Sequence, residues 1–279
     1  MSQPEWRVTT RQPGCYIFLL DQSLSMEDPI GGSALKKSVA LADAINRFIA
    51  ELVSQCEKGG ARPKHYFDVA LIGYTTDDQN NPIVGSAFQG PLATGDELIG
   101  LDIVGIDQLS ECPLGTKDEG GALVPVWYEP VARYGTPMCR ALEYCEKIAA
   151  MWAANHMDSV PPIVIHITDG ESSDGDPVAA ATALQNVRTH KGGTLLFNIH
   201  LSDESAPGTL FPASESALPN DYARTLFRMS SPLPDFCLQM AQQLGWQVAA
   251  GARGMAFNTD ATALSTLLAV GTLPSGALR

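Results

Sequence analysis

Cys15-Tyr-Ile-Phe-Leu-Leu20 is an unbroken apolar run that stops at Asp21. A run this short with no polar alternation reads as a strand buried on both faces, which demands a layer of helices above it and another below. Tyr66–Tyr74, Pro162–Thr168 and Thr194–Leu201 repeat the pattern, and Gly254–Asn258 is a shorter last strand. Between them, apolar residues recur at helical spacing. Leu35, Val39, Ala42, Ile45, Phe48, Ile49, Leu52, Val53 and Cys56 trace one helix, capped by Ser33 and stopped at Gly59-Gly60. Met138, Ala141, Leu142, Cys145, Ile148, Ala149 and Trp152 trace a second, opened by Thr136-Pro137. Further helices are expected at Ala179–Arg188, Asp235–Leu244 and Thr259–Val270. Strands alternating with helices predict an α/β fold: a doubly wound, mostly parallel central sheet, helices on both faces and right-handed crossovers. Ile83–Phe88 is expected as one short antiparallel edge strand.

The pattern fades in two places. Residues 90–133 and 202–234 are rich in Gly, Pro and polar residues, broken only by short apolar pieces and by a possible short helix near Asp221–Arg228. They read as irregular insertions in a single domain spanning 1–279, with its core at about 15–270. Long irregular stretches in a compact domain are usually functional or mobile. At 279 residues with 45% hydrophobic content, one large core suffices.

Charge and composition exclude several roles. A formal charge of −13 argues against nucleic acid or an anionic membrane as the main partner. No apolar run reaches the roughly 18 residues of a membrane span. The first residues lack the basic-then-apolar profile of a signal peptide. Six scattered cysteines, with no Cys-x-x-Cys, match neither a zinc site nor a disulfide framework. The expectation is a cytoplasmic protein.

Three polar segments fall at strand ends or helix starts on one edge of the predicted sheet. Asp21-x-Ser23-x-Ser25 follows the first strand, Gly135-Thr136-Pro137 precedes the second long helix, and Thr168-Asp169-Gly170 ends the middle strand. Ligands of such sheets bind beyond the carboxyl ends of the strands. Two serine hydroxyls, a threonine and two carboxylates make a hard-oxygen set suited to Mg²⁺, or to Mn²⁺ or Ca²⁺ in its place, rather than to zinc. The expected metal ligands, some acting through water, are Asp21, Ser23, Ser25, Thr136 and Asp169.

This three-part pattern resembles the metal-ion-dependent adhesion site of von Willebrand factor type A (VWA) domains, and the element order from Cys15 to Val270 is similar too. The resemblance implies that Ser23, Ser25 and Thr136 bind the ion directly or nearly so, with Asp21 and Asp169 holding coordinating waters or the ion itself. It also implies that a Glu or Asp of a protein partner completes the shell, and that closure of the shell shifts the last helix. With a cytoplasmic location, the chain is most similar to intracellular bacterial VWA proteins, including those tied to tellurium resistance, stress signalling or MoxR-type ATPases. The function implied is an adaptor or scaffold, not an enzyme, or else a subunit of an ATPase-driven chelatase machine.

Neighbouring residues have plainer readings. Asp174 and Asp176 could add a second cation but fit an Asp/Gly turn entering a helix. His166 and His200 fit hydrogen-bonded core histidines. Trp127, Tyr128 and Tyr134 fit either an interface rim or packing of the first insertion. A metal-dependent phosphoester hydrolase is the main enzymatic alternative. Against it, Ser23 stands where a second carboxylate would shuttle the proton, and no histidine is near in sequence. Phosphate-loop, dinucleotide and nucleophile-elbow patterns are absent from the sequence.

Overall fold

The computed structural model describes residues 6–30, 33–57, 62–88, 102–203 and 208–258. Its first strand, β1 (Gly14–Asp21), is buried along its whole length. A 3-10 turn at Leu24–Glu27 leads into α1 (Lys37–Cys56), β2 (Phe67–Thr76) and β3 (Pro82–Ser86). Next come β4 (Val104–Gly105), the one-turn α2 (Ile106–Leu109), and the hairpin strands β5 (Gly115–Glu119) and β6 (Ala122–Val126). The second half holds α3 (Met138–Asn155), β7 (Ile163–Thr168), α4 (Val178–Asn186), and the two-residue strands β8 (Arg188–Thr189) and β9 (Gly192–Gly193). It ends with β10 (Leu195–His200), β11 (Thr209–Leu210), α5 (Asp221–Met229), α6 (Asp235–Gln243) and β12 (Met255–Phe257).

The main sheet runs β11-β12-β10-β7-β1-β2-β3, with β4 beside β2. The five inner strands pair in parallel. Because β1 is central, alternate residues fill two separate cores. Tyr16, Phe18 and Leu20 pack with Leu41, Ile45 and Phe48 of α1, and with Cys237 and Ala241 of α6. Ile17 and Leu19 pack on the other face with Leu142 and Trp152 of α3, Leu184 of α4 and Leu226 of α5. Each fully buried large aliphatic side chain contributes about 1.5–3 kcal/mol. Helices therefore cover both faces, and the α/β doubly wound architecture stands.

Several details differ from the expectation. Antiparallel strands occur at both edges of the sheet, not one: β3 against β2, and β11 against β12. The first insertion is not wholly irregular, since β5 and β6 form a hairpin across Gly120-Gly121, both with positive φ. Ser33 does not cap α1; the cap position is Lys36, and the Ser33 hydroxyl closes a local turn with Ile30 and Leu35. The helix expected at Thr259–Val270, the Gly59-Gly60 stop and part of the 90–133 insertion lie outside the described residues.

From β1 the chain crosses to β2 on one side and later returns to β7 on the other. The carboxyl ends of β1 and β7 thus flank the point where strand order reverses, and there the two departing chains leave a crevice.

Candidate metal centre

Asp21 is the last residue of β1 and 1% exposed. Its Oδ1 accepts the Ser23 N–H at 2.8 Å, folding the chain into a tight turn, and its Oδ2 accepts the Thr168 hydroxyl at 2.6 Å from the adjacent strand. Both oxygens are engaged, so this carboxylate braces the loop and the β1–β7 seam. The turn brings the Ser23 and Ser25 hydroxyls to 3.0 Å from each other. Ser23 is buried and Ser25 half-buried, while Leu24 between them is exposed. Burial, and then the charge of Asp169, push the Asp21 carboxyl up to about 6 against the pull of these hydrogen bonds.

Asp169 follows β7. Its backbone carbonyl accepts the His200 Nε2–H at 2.6 Å. Gly170 then turns the chain at φ +97°, and a Cβ there would sit 2.9 Å from the His200 ring and 3.0 Å from the Tyr222 side chain, so only glycine fits. One side-chain oxygen of Asp169, Oδ2, lies 3.4 Å from the Lys37 ammonium. The other, Oδ1, is buried with no hydrogen-bond partner among the described residues.

The third segment is clasped to the second. Thr136 N–H donates to the Ser173 hydroxyl at 3.1 Å, and Ser173 N–H donates to the Thr136 carbonyl at 2.8 Å. Asp174 accepts the Cys139 and Arg140 amides at 2.9 and 3.0 Å, capping α3 from a distant loop. Asp176 likewise accepts the Val178 amide at the start of α4. Both acids follow the turn-and-cap reading. The loop from Tyr134 to Thr136 is held from its other side by β2 and by the serine loop: the Thr76 hydroxyl accepts the Gly135 amide at 3.0 Å, and the Tyr134 carbonyl accepts the Leu24 amide at 2.9 Å.

All five expected residues therefore gather at one end of the sheet. Among the described residues, no three His, Cys, Asp or Glu side chains group closely enough to hold a metal by themselves. An ion here would rest on two carboxylates plus hydroxyls, a donor set that fits Mg²⁺, Mn²⁺ or Ca²⁺ and does not fit zinc. The unpartnered Asp169 oxygen is an open valence of the kind such an ion fills.

The histidines do not reach this set as bases. His166 hydrogen-bonds Tyr74 through Nε2 at 2.8 Å and Asn198 through Nδ1 at 2.9 Å inside the core, and burial lowers it to about 4. His200 donates to the Asp169 carbonyl. His65 pairs with Asp68, His190 with Asp158, and His156 stacks on Trp152. The aromatics divide. Trp127 and Tyr128 are buried where the first insertion packs on α1, both amides held by the Asn46 side chain, whereas Tyr134 is 54% exposed beside the site. Leu24, Leu35 and Tyr222 are also exposed close to it in sequence or space.

Sequence reasoning missed Lys37. A Lys-Lys pair at a helix start reads as a solvated face, and nothing local says that the second lysine turns inward.

No family model and no curated protein matches the sequence. Among solved structures, one similar chain is a manganese-loaded Plasmodium vivax TRAP protein, with 14% identity and a TM-score of 0.35. The match covers 69% of this chain and 58% of that one, so it spans less than two thirds of that protein's length. No helix among the described residues is long and apolar enough to cross a membrane.

Proposed function

We propose that this crevice is a divalent-metal site of the VWA type and that the chain is a protein-recognition module, in which a Glu or Asp of a partner completes the metal shell. The observation that carries the reading is the buried Asp169 oxygen without a partner, set beside a second buried carboxylate and two converging serine hydroxyls. Ser23, Ser25 and Thr136 would offer hydroxyls to the ion. Asp169 would offer its open oxygen, and Asp21 would hold the loop and the coordinating waters. Bound there, the ion would supply a Lewis-acidic point for an incoming carboxylate.

Two further features support recognition over catalysis. His166 is spent inside the core and the Nε2–H of His200 on the Asp169 carbonyl, so neither presents a free Nε2 as a general base to an attacking water. The exposed Leu24, Tyr134 and Tyr222 would give a partner apolar anchors around a polar centre, the usual pattern of an interface hot spot. On this reading the chain is an adaptor or scaffold in a multiprotein system.

The test is Mn²⁺ titration followed by thermal melting, on the parent chain and on Asp21→Ala. The parent should gain several degrees at millimolar Mn²⁺ and lose them in EDTA, while Asp21→Ala should bind at least about a hundredfold more weakly. A parent that gains nothing from Mn²⁺, Mg²⁺ or Ca²⁺ would refute the metal reading. Metal-dependent retention of a partner whose acidic residue, changed to alanine, abolishes retention would establish the recognition role.

A further inference from the structure

Lys37 is the first residue of α1, and its side chain is 4% exposed. Two physical effects oppose it there. Taking an ammonium out of water costs several kcal/mol before any partner is counted. The amino end of a helix carries partial positive charge, which repels a cation. Moreover, the first turn of α1 has no acidic residue, and its cap position makes no side-chain capping bond to offset that repulsion. What holds Lys37 inward is the crevice, where its ammonium lies 3.4 Å from Asp169 Oδ2.

That contact is loose. Ammonium–carboxylate hydrogen bonds usually close to about 2.7–2.9 Å, so the lysine acts here more as a neighbouring charge than as a fixed hydrogen-bond donor. It also engages only one of the two oxygens and leaves Oδ1 open. The crevice thus encloses two carboxylates, Asp21 and Asp169, and one ammonium, a net charge of minus one. Adding a divalent ion makes the loaded site plus one, where the same site without the lysine would be neutral.

We propose that Lys37 is a resident counter-cation that competes with the divalent ion for Asp169, lowering the ion's affinity and leaving the loaded site with a positive charge for an anionic ligand. This rests on the metal reading of the site and adds to it a residue that tunes the ion. The lysine stands close enough to repel a dication strongly at the effective dielectric of a protein site, which corresponds to about tenfold or more in affinity. The loaded site is accordingly completed by a carboxylate, which restores neutrality.

The experiment is calorimetric titration of Mn²⁺ into the parent, Lys37→Met, Lys37→Gln, Lys37→Arg and Asp21→Ala. Lys37→Met keeps the aliphatic stem, and Lys37→Gln serves if the methionine chain folds poorly. Both neutral variants should bind Mn²⁺ at least about tenfold more tightly than the parent, and Lys37→Arg, which retains the cation, should stay near the parent value. Acetate, added as a free carboxylate probe, should bind the Mn²⁺-loaded parent more tightly than the loaded Lys37→Met chain. Equal or weaker Mn²⁺ affinity in both neutral variants overturns the proposal, and if Asp21→Ala has meanwhile lost the ion, the metal reading survives alone. If no chain binds Mn²⁺, both readings fall.

Discussion

In the middle of the sheet, a buried polar chain runs with every member paired. Ser230 donates to the Leu226 carbonyl and accepts from the Asn198 amide, Asn198 Oδ1 accepts from His166 Nδ1–H, and His166 Nε2 accepts from the Tyr74 hydroxyl. Each donor has an acceptor, and the network fixes a neutral imidazole tautomer. At the carboxyl ends of the same strands, Asp21, Lys37 and Ser23 are buried and Asp169 and Ser25 largely so, but the group does not close: one oxygen has no partner, one ion pair is long, and one carboxyl is pushed up in pKa. Both clusters share Tyr74, whose phenol is raised by burial and then by the Asp21 charge. Since one fold builds both, the difference is not a failure of packing. A fully paired buried network serves stability, whereas an unpaired buried group at a switch point is where the proposed ion would add the missing partner.

This contrast can be broken most directly from the closed side. Asn198→Leu strands His166 Nδ1–H and removes the donor to Ser230, so it should cost about 3–4 kcal/mol in chemical denaturation while leaving Mn²⁺ affinity within about twofold. A loss below about 1 kcal/mol would mean that the closed network is not what stabilises the sheet centre.

The next effect is a pH dependence. His166 titrates near 4 in the folded chain and near 6.5 unfolded. Between those values the unfolded state holds more protons, so the contribution is complete above about pH 6.5 and is lost as pH falls toward 4. Going from pH 7 to pH 5, the parent should lose about 2 kcal/mol relative to His166→Gln, measured as the difference between their urea stabilities so that the site's carboxylates cancel. Parallel pH profiles would show that the imidazole is not held neutral.

The smallest effect has the opposite sign. Asp21→Asn removes an ionised buried group whose folded pKa is raised, so the metal-free chain should gain about 1–2 kcal/mol at pH 7 even as metal binding is lost. A destabilised metal-free variant would move Asp21 into the structural cluster and collapse the distinction between the two.

How legible each part was follows from where its causes lie. β1, β2, β7 and β10 announce themselves because strands buried on both faces leave no polar alternation, and α1 and α3 carry uninterrupted apolar stripes. The gathering of Asp21, Ser23, Ser25, Thr136 and Asp169 was legible because parallel topology sends every strand's carboxyl end to one edge. The β5–β6 hairpin was harder to see. β5 is Gly-Thr-Lys-Asp-Glu and β6 carries Pro125, so neither reads as a strand, although Gly120-Gly121 is a two-residue hairpin turn signal in its own right. Asn46 and Lys37 were illegible for a different reason. Each does its work across the chain, Asn46 on the Trp127 and Tyr128 backbone and Lys37 on Asp169, and no local pattern distinguishes them from ordinary exposed helix residues.

The central position of β1 also bears on how the chain is made. Its partner β2 soon follows it in the sequence, but β7 is specified only in the second half of the chain. At ribosomal speeds of about 5–20 residues per second, one edge of a strand that is apolar up to Asp21 stays unpaired for roughly seven to thirty seconds during synthesis. Over that interval Asp21 has no Thr168 to brace it, Thr136 emerges only toward its end, and Asp169 only after it. A nascent chain is therefore sticky along that strand edge before the residues of the candidate site can come together, which they do only once the second half has been added.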